Sequence, residues 1–209
     1  VLGTLFIITE WRRRKLNRKA SKIEITQEVL DFEKDPWFKG HEFYFVSAKK
    51  LKSTTGKVDH FQKLREEGDW LSTRVLSLQQ AADCDVPKDI ITISHIWGKP
   101  YHPDPDGEQM DALRKWLREH PEIHWVWVDW CCLPQVLKND KNEVVERRTG
   151  EDAVLFEEGL ANVNIAYLVP PVILILDFQY LARFWPNFEA YLSYQDVTPT
   201  GLKPAKALR

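Results

Sequence analysis

Cysteine is scarce in this chain: Cys84, Cys131 and Cys132 are the only three in 209 residues, and no two are spaced as CxxC. That spacing excludes a disulfide framework. A zinc site is not expected either, because the histidines are not spaced with the cysteines as ligand sets require. Free thiols in an intracellular, reducing compartment are the expectation. Charge of one sign is lacking too. The 29 lysines and arginines stand against 31 acidic residues, for a formal charge of -2. Such a balance argues against a general nucleic-acid-binding surface, and 44% apolar residues argue against disorder. No repeat or low-complexity segment interrupts the chain. The length fits one domain with appendages. The apolar stretch Val1–Thr9 has nine residues, and a bilayer span needs about 20. The first residue is Val1 rather than Met, so a processed or incomplete chain is expected.

Arg12, Arg13, Arg14, Lys15, Arg18, Lys19 and Lys22 follow that stretch and make residues 1–22 a basic leader. Two readings stand: the flank of a span at a membrane surface, or an amphipathic helix with a solvated basic face. Residues 23–88 read as a mixed segment that packs on the main domain. Within it, HEFYFVSA (41–48) predicts a strand and VDHFQKLREEGDWL (58–71) a short helix ending near Gly68. TRVLSLQQAADC (73–84) fits a strand, a helix or both.

What the chain has in abundance is tryptophan, nine in all, six of them at 97, 116, 125, 127, 130 and 185. They lie in the half where the pattern sharpens, residues 89–209. IITIS (90–94), WVWVDW (125–130) and VILILD (172–177) read as apolar strands. Helices are predicted between and after them. The first follows YHPDPDG (101–107), is capped by Asp106 with Gln109 three residues on, and ends at Pro121. It turns Met110, Leu113, Trp116 and Leu117 to one side, with Arg114, Lys115 and Arg118 elsewhere. The next covers 151–164, and the last covers 183–195 with Pro186 in its first turn.

Strand and helix in alternation imply an α/β fold with a three-layer, flavodoxin-like parallel sheet. Runs such as VILIL lack alternation because both faces of such a sheet are covered. Ligands then bind at the carboxyl ends of the strands, where Ser94, Asp129 and Asp177 fall, with His95 and Trp97 on the same rim. His102, Asp104 and Asp106 invite a metal reading, but a turn and helix cap explain them more economically, and no metal is expected. Glu146-Arg147-Arg148, with Lys138 and Lys141, reads as a solvated loop, since no glycine-rich phosphate cradle accompanies it.

ITISHIW, a second strand ending in Asp129, and LDFQYLARFWPNFEAYL together resemble the Toll/interleukin-1 receptor (TIR) domain and its heterokaryon-incompatibility relatives, over about residues 89–195. In that superfamily a serine ends the first strand, and a tyrosine, a tryptophan and a helix glutamate follow the third. Tyr180, Trp185 and Glu189 stand at matching spacing. Pro186 replaces the usual cysteine, and the loop CCLPQVLKNDKNEVVERRTG (131–150) is longer than usual. The family fold continues with two more strands, whereas TPTGLKPAKALR (198–209) contains neither. The expectation is a sheet completed by the N-terminal half, or one incomplete at its C-terminal end.

The resemblance implies two function classes. One is a non-catalytic interaction module, a scaffold or accessory subunit of a larger assembly, at a membrane if the leader is a flank. Its partners would be proteins or further copies of itself. The other is a hydrolase that cleaves NAD as its substrate, with no firm cofactor. There Glu189 would be the catalytic carboxylate, Ser94 would bond ribose or phosphate, and Trp97 or Trp185 would stack on the base. His95, Asp129 and Tyr180 would line the site. An anion suits that chemistry, because breaking the nicotinamide–ribose bond builds oxocarbenium-like charge on the sugar. The incomplete C-terminal half favours the interaction module. The feature that separates the two is whether Glu189 faces an open cavity at the strand ends.

Overall fold

Three apolar runs pair in parallel at the centre of the sheet. In a computed structural model that describes residues 5–8, 40–198 and 200–205, they are β4 (Ile90–Ser94), β5 (Trp125–Trp127) and β8 (Val172–Leu176). All five residues of β4 are buried, as a strand covered on both faces requires. Its register sets Thr92 beside Trp127 on one side and Ser94 beside Leu174 on the other. The three carboxyl ends therefore open on one edge of the sheet.

The α/β class holds, but the sheet is mixed. Its six strands run in the order β1-β8-β4-β5-β2-β3, where β1 is Leu5–Ile8, β2 His41–Ser47 and β3 Leu71–Leu76. The outer strands β1, β2 and β3 pair antiparallel with their neighbours. An antiparallel neighbour needs no crossover helix, which lets the N-terminal half complete the sheet. Beyond Leu5–Ile8, the basic leader lies outside the described residues. Among the described residues no helix is long and apolar enough to cross a membrane.

Among the described residues three helices precede β4: α1 (Ala48–Lys52), α2 (Phe61–Glu67) and α3 (Leu78–Asp83). Helix α2 ends at Gly68 in the left-handed region (φ 84°), where glycine carries no Cβ penalty. TRVLSLQQAADC is both of the alternatives: β3, then α3 behind a capping box of Ser77 and Gln80. Four helices then follow β4, namely α4 (Glu108–Glu119), α5 (Asp129–Cys132), α6 (Gly150–Leu168) and α7 (Phe184–Ser193).

Several expectations are corrected here. WVWVDW is not all strand. The amides of Cys131 and Cys132 donate to the Val128 carbonyl at 3.0 and 2.8 Å, and the chain coils into α5. Helix α4 is capped by Asp104, not Asp106: its carboxylate accepts from the amides of Gln109 (3.2 Å) and Met110 (2.9 Å). The C-terminal segment does hold strands, since β9 (Gln195–Thr198) and β10 (Gly201–Pro204) form a hairpin apart from the main sheet. The long loop before α6 carries a small ladder of β6 (Leu137–Lys138) and β7 (Val144–Glu146).

Met110, Leu113, Trp116 and Leu117 are buried as predicted, but Arg114 is buried with them, 1% exposed. Its guanidinium donates to the carbonyls of Leu51 (2.9 Å) and Gly56 (2.6 Å), to Asp111 (2.6 Å) and to Thr54 (3.1 Å). Four partners offset the desolvation of the charge. An ammonium cannot reproduce that fork. Arg114→Lys should therefore lower unfolding free energy by about 2 kcal/mol, read by urea denaturation; an unchanged midpoint would contradict this account.

Candidate functional site

Ser94 ends β4 where the sheet opens, and its hydroxyl lies 2.6 Å from the Tyr180 phenol and 2.6 Å from Glu189 Oε2. Tyr180 belongs to a 3₁₀ turn (Tyr180–Ala182) that Asp177 organises, accepting from the amides of Gln179 (2.8 Å) and Tyr180 (2.9 Å). Asp177 thus serves the turn. The Tyr180 hydroxyl donates in turn to the Pro186 carbonyl at 2.9 Å.

Counting protons constrains Glu189. Three contacts join Glu189, Ser94, Tyr180 and the Pro186 carbonyl. Two hydroxyl protons cannot serve three contacts. With Glu189 neutral, its proton goes to Ser94, that of Ser94 to Tyr180, and that of Tyr180 to Pro186, and every contact is met. With Glu189 ionised, Ser94 donates to the carboxylate and one contact goes without a proton. Burial acts in the same direction and pushes the Glu189 carboxyl up to about 7, against the Ser94 hydrogen bond, which favours the anion. Asp129 raises it further, while Tyr167, whose phenol faces the same carboxylate, lowers it.

His95 is arranged differently. Gln109 donates through its amide nitrogen to the carbonyls of Ile96 (3.1 Å) and Pro103 (3.4 Å), so its oxygen faces His95 Nδ1 at 2.8 Å. His95 Nε2 meets Asp129 Oδ1 at 3.0 Å. Both ring nitrogens face acceptors, an arrangement that fits the imidazolium. Burial opposes that charge, but the hydrogen bond and charge of Asp129 outweigh it and raise the His95 pKa. For Asp129 burial is likewise outweighed, and its pKa falls. Asp129 Oδ2 also accepts from Trp97 Nε1 at 2.8 Å, and Oδ1 from the Trp130 amide at 2.6 Å. One carboxylate therefore fixes both His95 and the indole of Trp97.

These groups line one cavity of about 450 Å³ at the strand ends. Trp97, Trp127 and Phe156 supply aromatic wall, and the exposed Phe184 and Trp185 form the rim. His95, Asp129, Arg148, Arg183 and Glu189 supply its charged groups. The volume falls in the range of small-molecule sites, and a mostly apolar lining with a few convergent polar groups is usual for them. The structure brings Glu189, Trp97, His95, Asp129 and Trp185 to this cavity, with Ser94 and Tyr180 behind Glu189.

Tyr167, Trp127, Gln109 and Arg148 were missed from sequence. Arg148 is no freely solvated loop residue: its guanidinium carbon stacks 3.4 Å from the Phe156 ring centre. His102 accepts the Asp104 amide at 3.0 Å and belongs to the turn. Among the described residues, no cluster of three or more histidine, cysteine or acidic side chains is placed to hold a metal ion. Compared with protein-family models, with curated proteins and with solved structures, the chain matches none.

Proposed function

We propose that this chain is a hydrolase that cleaves the nicotinamide–ribose bond of NAD, with Glu189 as its catalytic carboxylate. The observation that carries the proposal is the open cavity of about 450 Å³ beside Glu189, walled by Trp97 and Trp127. The resemblance of ITISHIW and of Tyr180, Trp185 and Glu189 to TIR domains supports the same reading. A TIR-related, flavodoxin-like ancestry belongs to this proposal, with antiparallel outer strands as a departure from it.

The reaction breaks the glycosidic C–N bond, and the bonding pair leaves with neutral nicotinamide. The sugar becomes oxocarbenium-like, and water then adds to it with loss of a proton. Ionised Glu189 stabilises the positive sugar, in surroundings that keep most water away. Ser94 holds the carboxylate oriented through its hydrogen bond. Trp97, fixed by Asp129, offers a ring face to a base.

The interaction-module reading has its own observation. Phe178, Leu181, Phe184 and Trp185 are 87%, 77%, 72% and 63% exposed, the last two at the cavity, and exposed apolar surface of this kind marks binding partners. One assay separates the two readings. Purified chain incubated with NAD should release nicotinamide, and Glu189→Ala should release at least 100-fold less. Equal rates in both proteins, or none in concentrated wild type, would leave the interaction module.

A further inference from the structure

Arg148 has few ties to the protein's own groups. Its Nε donates to the Pro134 carbonyl at 2.8 Å, and its plane lies against Phe156. Those two contacts fix the guanidinium and leave its four terminal N–H groups over. No carboxylate pairs with it among the described residues. The nearest candidate, Asp152, is taken by Arg65 at 2.8 Å. Burial pushes the Arg148 pKa down from its usual value, and Asp152 offsets only part of that. Arg183, at the start of α7, lines the same cavity, and no side-chain partner for it occurs among the described residues.

Charge around the cavity is therefore lopsided. His95 and Asp129 neutralise each other. Burial pushes the Glu189 carboxyl up to about 7, and neither Arg148 nor Arg183 is ion-paired to a carboxylate among the described residues. A guanidinium edge suits a phosphate group, to which it donates paired hydrogen bonds.

We propose that Arg148 and Arg183 form a phosphate-binding end of this cavity, so that its ligand is a phosphate ester of a nucleoside rather than a free nucleoside. This rests on the reading of the cavity as a nicotinamide-nucleotide site. It adds the residues that select the phosphorylated form. The wall of Arg148 comes from the loop before α6, and that of Glu189 from α7. A nucleotide spanning the two has its glycosidic bond at Glu189 and its phosphates at the arginines.

The test is equilibrium binding to the whole chain, read by tryptophan fluorescence, with NAD, nicotinamide riboside and inorganic pyrophosphate as probes. NAD should bind more tightly than the riboside, pyrophosphate should displace it, and added salt should weaken it. Arg148→Gln should weaken NAD by tenfold or more and leave the riboside unchanged. Arg148→Lys should fall between the two, because it keeps charge without the fork. Should Arg148→Gln fail to fold, Arg183→Gln and pyrophosphate displacement decide instead. Unchanged NAD affinity in both glutamine variants, failure of pyrophosphate to compete, or no binding of any probe would overturn the proposal. Binding that follows this pattern without release of nicotinamide would sink the hydrolase reading and leave the phosphate site standing.

Discussion

Glu189→Gln should melt well above the wild type at pH 8 while losing hydrolysis. The folded chain holds the carboxyl at about 7, above the ordinary value of 4.5, chiefly through burial. A raised carboxyl favours the protonated form in the folded state. The folded chain therefore binds more protons than the unfolded chain between those values. The resulting stabilisation is full below 4.5 and is lost as pH rises through 7. Glutamine keeps the shape of the neutral acid at every pH, so it removes the loss. The shift corresponds to about 3 kcal/mol at pH 8, and to little at pH 4.5. In a chain of this size that is roughly 10 °C in melting temperature. Catalysis depends on pH in the opposite direction. The anion is the form that stabilises a positive sugar, so nicotinamide release should rise with pH through about 7. The chain would then be least stable where it is most active. Thermal melts of the two proteins across that range check it. Parallel curves would mean that Glu189 is solvated and that the cavity account is wrong.

Legibility from sequence differed by scale. The three central strands were readable because burial on both faces leaves nothing to alternate, and the four β-branched residues that open IITIS admit little else. Their carboxyl ends located Ser94 and Asp129, and a resemblance, not periodicity, singled out Glu189. The outer strands were harder to read. β3 is an exposed edge with Arg74 and Val75 facing solvent, so no apolar face announces it. Partners within the site were invisible, because they join residues far apart in sequence. Ser94 meets Glu189 ninety-five positions on, and Gln109 reaches back from a helix start to His95. Arg148 read as solvated loop because it closes the charged run Glu146-Arg147-Arg148, with no glycine-rich cradle beside it. Only the stacking on Phe156, from the following helix, turns it toward the cavity. Tyr167 lay hidden in α6 for a similar reason: that helix is apolar on more than one side, so no single buried face marks it.

Asp129→Asn should be the most damaging single change among the site residues. Its carboxylate accepts from His95, from Trp97 and from the Trp130 amide, at 3.0, 2.8 and 2.6 Å. Asparagine has one oxygen for these three donors. Whichever way the amide turns, an N–H is set against another N–H. The unpaired imidazolium beside it would be 4% exposed. Breaking a buried pair costs about 3–5 kcal/mol. Asp129 itself is 33% exposed to the cavity, so water screens part of that, and about 2–3 kcal/mol is expected. The pH dependence has two limbs. His95 is raised above 6.5, so its share is full below that value and is lost as pH rises through the folded pKa. Asp129 is depressed below 3.8, so its share is present above that value and is lost as pH falls through the folded pKa. The penalty of the substitution should therefore be largest between 3.8 and 6.5 and shrink at alkaline pH. Denaturant titrations of both proteins at pH 5.5 and pH 9 measure it. A penalty independent of pH would show that Asp129 acts only as a hydrogen-bond acceptor to Trp97 and Trp130, with His95 neutral beside it. A penalty that fades at pH 9 would identify the same ion pair that keeps the indole of Trp97 against the cavity. Loss of that indole's anchor should also weaken ligand binding even where the chain remains folded.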